Sequence, residues 1–229
     1  MPAWAPRTAG GRNAVARAVF RRAGDRQASA AREGRRGTSR VTFLDRDRSL
    51  VEAAREDPRR FDALYRKYLA QVYSYAYYEL GDHHDAEDAT ERTFLQALTA
   101  LPRFEERALP AGGEGASTFR VWLFQIARNS VANVRRGRRR RRESPLDAAA
   151  VVVDPLDVAG AVVARDEAEA AWAAVGRLPA DRRRALVLRF VEEMSTAEIA
   201  GVLGRSEGAV RVLIHRALRS VAKDLGRRR

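Results

Sequence analysis

The chain contains no cysteine, which excludes disulfides and thiolate metal sites and fits a reducing cytoplasm. No apolar run approaches the ~20 residues needed to span a bilayer, so no membrane association is expected. The Arg-rich start, MPAWAPRTAGGRNAVARAVFRRAG, lacks the apolar block of a secretory signal. Alternating strand patterns of useful length are missing as well. The phosphate-binding pattern G-x-x-x-x-G-K-S/T does not occur. His83 and His84 adjoin carboxylates, but adjacent histidines in a loop point apart and no third ligand stands at metal spacing. With no catalytic constellation, the expectation is a protein that is not an enzyme and takes no cofactor and no metal.

Lysine is nearly absent too, occurring only at positions 67 and 223. The net charge of +13 is therefore carried by arginine, and its placement is uneven. Residues 1–40 contain ten Arg against Asp25 and Glu33, and RRGRRRRR at 135–142 contains seven more. These two blocks exceed the whole net charge, so the rest of the chain is close to neutral. Basic blocks of this kind attract polyanions such as nucleic acid or anionic lipid. A GC-rich genome would account for Arg over Lys but not for the clustering.

Residues 1–48 read as a disordered basic tail. From residue 49 the pattern turns helical. Ser49 is placed to cap a short helix, LVEAARED, which Pro58 ends. Phe61, Leu64, Tyr65, Tyr68, Val72, Tyr75 and Ala76 then recur at helical spacing up to Gly81. After GDHHD, the residues Ala86, Ala89, Thr93, Phe94, Ala97, Leu98 and Leu101 mark a second helix, stopped by Pro102. Its other face carries Asp85, Glu87, Asp88 and Glu91, close to the N-terminus where the macrodipole favours acids. A Gly- and Ala-rich loop covers 105–117. Phe119, Trp122, Leu123, Ile126, Ala127, Ser130, Val131 and Val134 form a third helix that runs into the Arg block, itself read most simply as a flexible solvated run.

Residues 143–165, with Pro145, Pro155 and scattered Asp, read as an extended linker. A second helical unit follows. Pro179 and Asp181 start a helix with Ala185, Leu186, Leu188 and Val191 inside. Ser195 and Glu198 form a capping box, the helix they open ends at Gly204, and Ser206 caps the last helix. These last two helices fit a helix-turn-helix. Ala200 is the small residue where the helices cross, Gly204 supplies positive φ in the turn, and Val210 and Leu213 anchor the second helix beside Ile199 and Leu203. The exposed stripe is basic where a recognition helix faces the groove. Arg211 and Arg216 can contact bases or phosphates, since Arg chelates guanine O6 and N7. Val212 and His215 share that face, and Arg205 and Ser206 at the helix N-terminus position phosphates.

Four ordered blocks extend this reading: FDALYRKYLAQVYSYA, DAEDATERTFLQAL, FRVWLFQIARNSVANVRR and LPADRRRALVLRFVEEMSTAEIAGVLGRSEGAVRVLIHRALRSV. Together they resemble the small two-domain extracytoplasmic-function (ECF) factors of the sigma-70 superfamily, over about 50–142 and 166–225. The resemblance implies an all-α fold of two small helical domains joined by an extended linker. Region 2, at 49–142, would bind core RNA polymerase and the −10 promoter element. Region 4, at 166–229, would read the −35 element as duplex. On the same resemblance Asp85, Asp88 and Glu91 face the polymerase clamp, and Phe119 and Asn133 form the pocket for a flipped −10 base. Asn129 lies on the same helix face as Asn133, and Arg128 and Arg136 can hold the strand backbone. The implied partners are core RNA polymerase, promoter DNA that is duplex at −35 and single-stranded at −10, and an anti-sigma factor. The free factor would be monomeric and cytoplasmic.

In one respect the chain departs from the family. Its loop RFEERALPAGGEGAST is longer than the family's usual connection. Two other readings compete. A stand-alone helix-turn-helix regulator would use only the C-terminal unit and leave the acidic 85–91 face without a role. A nucleoid-coating protein would bind with little sequence preference and a steep salt dependence.

Overall fold

The computed structural model describes residues 47–106, 117–143 and 170–226. The expected basic tail, except its last two residues, lies outside the described residues, as do most of the long loop and the linker up to residue 169. Among the described residues there is no strand, and no helix is long and apolar enough to cross a membrane. Helix α1 spans Arg48–Glu56, α2 Phe61–Leu80, α3 His83–Ala100 and α4 Thr118–Glu143. Helix α5 covers 170–176, α6 spans Ala180–Phe190, α7 Thr196–Leu203 and α8 Glu207–Gly226. Short 3-10 turns at Pro58–Arg60 and Leu101–Arg103 lead into α2 and out of α3.

The first unit is a bundle in which α2, α3 and α4 pack on one another. Leu64, Val72, Tyr75, Ala86, Ala89, Phe119, Leu123 and Phe124 are buried at its centre. Gly81 takes a left-handed φ of 72° and returns its N–H to the Tyr77 carbonyl, which stops α2. Asp82, in an extended conformation, then caps α3 by accepting the Asp85 N–H at 2.9 Å.

Two local expectations change. Ser49 does not cap α1; the helix begins one residue earlier, at Arg48. Asp47, expected in the tail, is fully buried, and its carboxylate receives Lys67, Tyr68 and Ser117. That carboxylate ties the chain entry to α2 and to the residue before α4. The Arg block also differs from a flexible run. It continues α4 as helix to Glu143, with Arg135 turned inward to Glu79 and Arg138 to Asp85.

In the second unit α6 and α8 pack together over α5. Leu178, Leu186, Ala217, Leu218 and Val221 fill their interface. The core does not stop at the unit boundary. Val187, Leu188, Met194, Ile199, Val202 and Val210 belong to the same buried cluster as the α2–α4 bundle, and α7 lies directly against α4.

Candidate nucleic-acid interface

The helix-turn-helix is assembled by local capping. Ser195 Oγ accepts the Glu198 N–H at 3.1 Å, while Glu198 Oε2 accepts the Ser195 N–H at 2.8 Å. This reciprocal pair starts α7. Gly204 ends it at φ 64°, where an L side chain is strained. No atom lies within 4 Å of a Cβ built there, so backbone conformation alone selects glycine. Ser206 then starts α8, its Oγ accepting the Ala209 N–H at 3.2 Å. Ile199, Val202 and Val210 are fully buried, and Ala200 is buried where the helices cross.

With that face anchored, Arg211, Val212, His215, Arg216 and Arg219 are exposed along α8. Arg211 pairs with Glu207 one turn back at 3.0 Å, and Arg205 pairs with Asp181 of α6. Exposed pairs such as these contribute no more than about 1 kcal/mol, so both guanidiniums exchange readily onto phosphate or a base edge.

On α4 the expected strand-binding residues separate into two sets. Asn129, Asn133 and Arg136 are exposed and, with Arg140, recur at i, i+4, i+7 and i+11, which makes one stripe. Asn133 Oδ1 accepts from Arg136, so the amide is already oriented. Phe119 is not on this surface. It is 0% exposed and packs among Tyr68, Phe104 and Trp122, with ring centroids 5.6–5.8 Å away. The first turn of α4 is driven into that aromatic cluster, so Phe119 supports the helix and cannot wall an open base pocket in this conformation. Arg128 also leaves the stripe. It is half-buried and donates to the Val202 carbonyl at 2.8 Å.

The acidic face of α3 is sorted in the same way. Glu91 is exposed and Asp88 half-exposed, with Arg92 about one turn away. Asp85 is buried and pairs with Arg138 at 3.3 Å. It serves an intrachain contact because Asp82 has taken the cap. A feature missed in the sequence adjoins this face. Phe61, Tyr65, Leu69, Phe94, Leu95 and Leu98 line a groove of about 470 Å³ between α2 and α3, rimmed by Glu87, Thr90 and Glu91. Leu95 is 57% exposed, and Tyr65 and Leu98 are each more than a third exposed. Leu98, expected in the core stripe, therefore belongs to the surface. The available signal was Leu95, an apolar residue that falls outside that stripe. His83 stacks on Tyr77 with centroids 4.5 Å apart and bonds Tyr73, so it is a packed side chain.

Comparison with known proteins adds the following. The family model for sigma-70 region 2 matches residues 64–141, and that for sigma-70 region 4 matches residues 168–221. The chain is 37% identical over 169 residues to the ECF RNA polymerase sigma factor BldN of Streptomyces coelicolor, covering 72% of this chain but only 60% of that one. It is 32% identical over 196 residues to the RNA polymerase sigma-H factor of Pseudomonas aeruginosa, covering 79% of this chain and 94% of that one. Among solved structures, CnrH in complex with the cytosolic domain of CnrY aligns with a TM-score of 0.55 at 27% identity, over 80% of this chain and 98% of that one.

Proposed function

The chain belongs to the extracytoplasmic-function sigma factors of the sigma-70 family, and from that premise we propose that it binds core RNA polymerase, recognises −35 and −10 promoter elements and promotes DNA opening for transcription initiation. One observation carries this reading over a stand-alone regulator. The apolar groove, rimmed by Glu87 and Glu91, is lined by α2 and α3 alone, whereas the DNA-facing side chains stand on α4 and α8. A regulator that ignores polymerase has no use for it. A polymerase helix with apolar residues and a basic flank fits it.

The two DNA surfaces divide the work by chemistry. The α8 face offers guanidiniums and an imidazole to a duplex groove, where one bidentate Arg–guanine contact discriminates by about 1–3 kcal/mol. The α4 stripe offers two amides and at least one guanidinium. That suits a separated strand, whose base edges are open to Asn and whose phosphates pair with Arg. Drawing one base out of the stack costs a few kcal/mol, and the Asn129–Asn133 edge contacts offset it. No bond is made or broken in these steps. The factor works by binding, in the cytoplasm with polymerase and DNA. We also infer an anti-sigma factor as partner, supported by the complex of CnrH, whose fold this chain shares, with the cytosolic domain of CnrY.

The test is a mixing experiment. Purified chain and core polymerase are passed over a sizing column, then used for run-off transcription from a library of genomic fragments. Co-elution with new promoter-specific transcripts is expected. DNA binding without co-elution would return the protein to the stand-alone class.

A further inference from the structure

Among the described residues, four large apolar side chains are more than a third exposed. Tyr65, Leu95 and Leu98 belong to the α2–α3 groove. The fourth, Val212, stands 47% exposed on α8, outside that groove. Helix stability does not call for it. A β-branched residue loses χ1 freedom in a helix, and an exposed one recovers little of that loss by packing. The same holds one turn back. Gly208 is exposed inside α8, its φ is not left-handed, and a Cβ built there meets no atom within 4 Å. Glycine is a poor helix former, and neither backbone conformation nor space requires it here.

Gly208 and Val212 are four residues apart, so they share one line along the helix, and Arg216 continues it. Arg211 and His215 make the adjoining line, and both are exposed. Val210, Ala217, Leu218 and Val221 bury the opposite side. From its N-terminal end, the outward face of α8 is therefore a bare stretch, then an apolar spot, then a cationic end.

These groups are not equivalent as readers of a duplex. A guanidinium finds guanine O6 and N7, and it also pairs with any phosphate. None of these polar contacts registers a methyl group. In the major groove thymine alone among the four bases presents a C5-methyl, which is recognised by apolar contact. Val212 offers two methyls held largely in one rotamer by its branching, so little freedom is lost on contact. Gly208, with no side chain, lets the first turns of α8 come close to the base edges. Those are the turns that a recognition helix inserts.

We propose that Val212 is a specificity-determining residue for the −35 element, reading the C5-methyl of one thymine, and that the bare backbone at Gly208 lets it reach that methyl. The inference rests on the sigma-factor reading above and adds one base to it. Arg216 lies four residues on, about 6 Å along the helix, and base pairs stack at about 3.4 Å. A guanine read by Arg216 therefore falls within about two base pairs of that thymine.

The test removes one methyl at a time. The −35 element is taken from the transcripts of the run-off experiment above. Each thymine in it, on either strand, is replaced in turn by deoxyuridine, which keeps the pairing and lacks only the C5-methyl. Holoenzyme made from the full chain and core polymerase is titrated with the labelled promoter duplexes. At one thymine, deoxyuridine should weaken binding about fourfold, the value of one methyl-sized apolar group taken out of water. At the other thymines it should change little. With Val212→Ala, the unmodified duplex should bind more weakly and the deoxyuridine effect at that position should vanish. Val212→Ile, which keeps the β-branch, should restore it. Alanine is a better helix former than valine, so the Val212→Ala variant keeps α8. An element without thymine, an element with no position sensitive to deoxyuridine, or an equal penalty in the parent and Val212→Ala chains overturns the proposal. If that equal penalty comes with weaker core polymerase binding, Val212 belongs to a protein contact instead. If no promoter-specific transcripts form, the sigma-factor reading fails, and the same comparison is made on duplexes that the full chain selects from a random pool. Selection of none overturns both.

Discussion

Replacing Glu192 by Gln should flatten the pH dependence of stability between about pH 5 and 8. Glu192 follows α6, is 4% exposed, and has one carboxylate oxygen without a partner. Burial pushes its pKa up from an ordinary 4.5 to about 8. Arg120 of α4 and Ser74 of α2 oppose that rise, and Glu193 adds slightly to it. The folded chain thus holds a proton that the unfolded chain releases. Between the two pKa values the unfolded state binds fewer protons, so stability falls as pH rises. The contribution is full below the unfolded pKa and is lost as pH climbs through the folded one. The slope is about 1.4 kcal/mol per pH unit, which by pH 7 amounts to about 3 kcal/mol lost relative to pH 4.5. Gln keeps the shape and hydrogen-bonding capacity of the protonated acid and does not titrate. Urea unfolding followed by circular dichroism at pH 5, 6, 7 and 8 should show the variant close to the parent at pH 5 and progressively more stable above it. Equal slopes for the two chains would refute the argument, because Glu192 would then be ionised and solvated in the native state.

Further outcomes follow from the sites. Gly204→Ala should lower stability by about 1–2 kcal/mol through the left-handed turn, whereas Gly208→Ala, inside α8 with open space at its Cβ, should raise it by about 0.5–1 kcal/mol; thermal melts of the pair give opposite signs if the turn reasoning holds. Leu95→Asp should weaken core polymerase binding by about tenfold or more, the cost of losing one buried Leu, with −35 duplex binding unchanged; a titration with labelled core decides. Asn133→Ala should slow open-complex formation while sparing core binding, and normal opening by that variant would remove Asn133 from strand recognition.

The parts of this protein that were legible in its sequence are those set within a few residues. Ser195 with Glu198, Gly204 and Ser206 are local rules, and each is found in the predicted role. Misreadings arose where a side chain answers to something distant. Ser49 looked like a cap because Asp47, which precedes the helix, is committed to Lys67, Tyr68 and Ser117, up to 70 residues on. Asp85, which the resemblance turns toward the polymerase clamp, meets Arg138 instead, 53 residues away in a block that reads as solvated. Phe119 was buried, as its spacing requires, yet the base-pocket role implied by resemblance needed it accessible. The contact between the two units left one trace that could have been followed. Glu79 falls on the stripe of Val72, Tyr75 and Ala76, all buried, and a carboxylate on an apolar helix face demands a cation from elsewhere in the chain. The candidates were the two arginine runs, at 135–142 and 182–184. One member of the first and two of the second meet Glu79, so part of the arginine excess that pointed to nucleic acid also binds the two halves of the chain to each other.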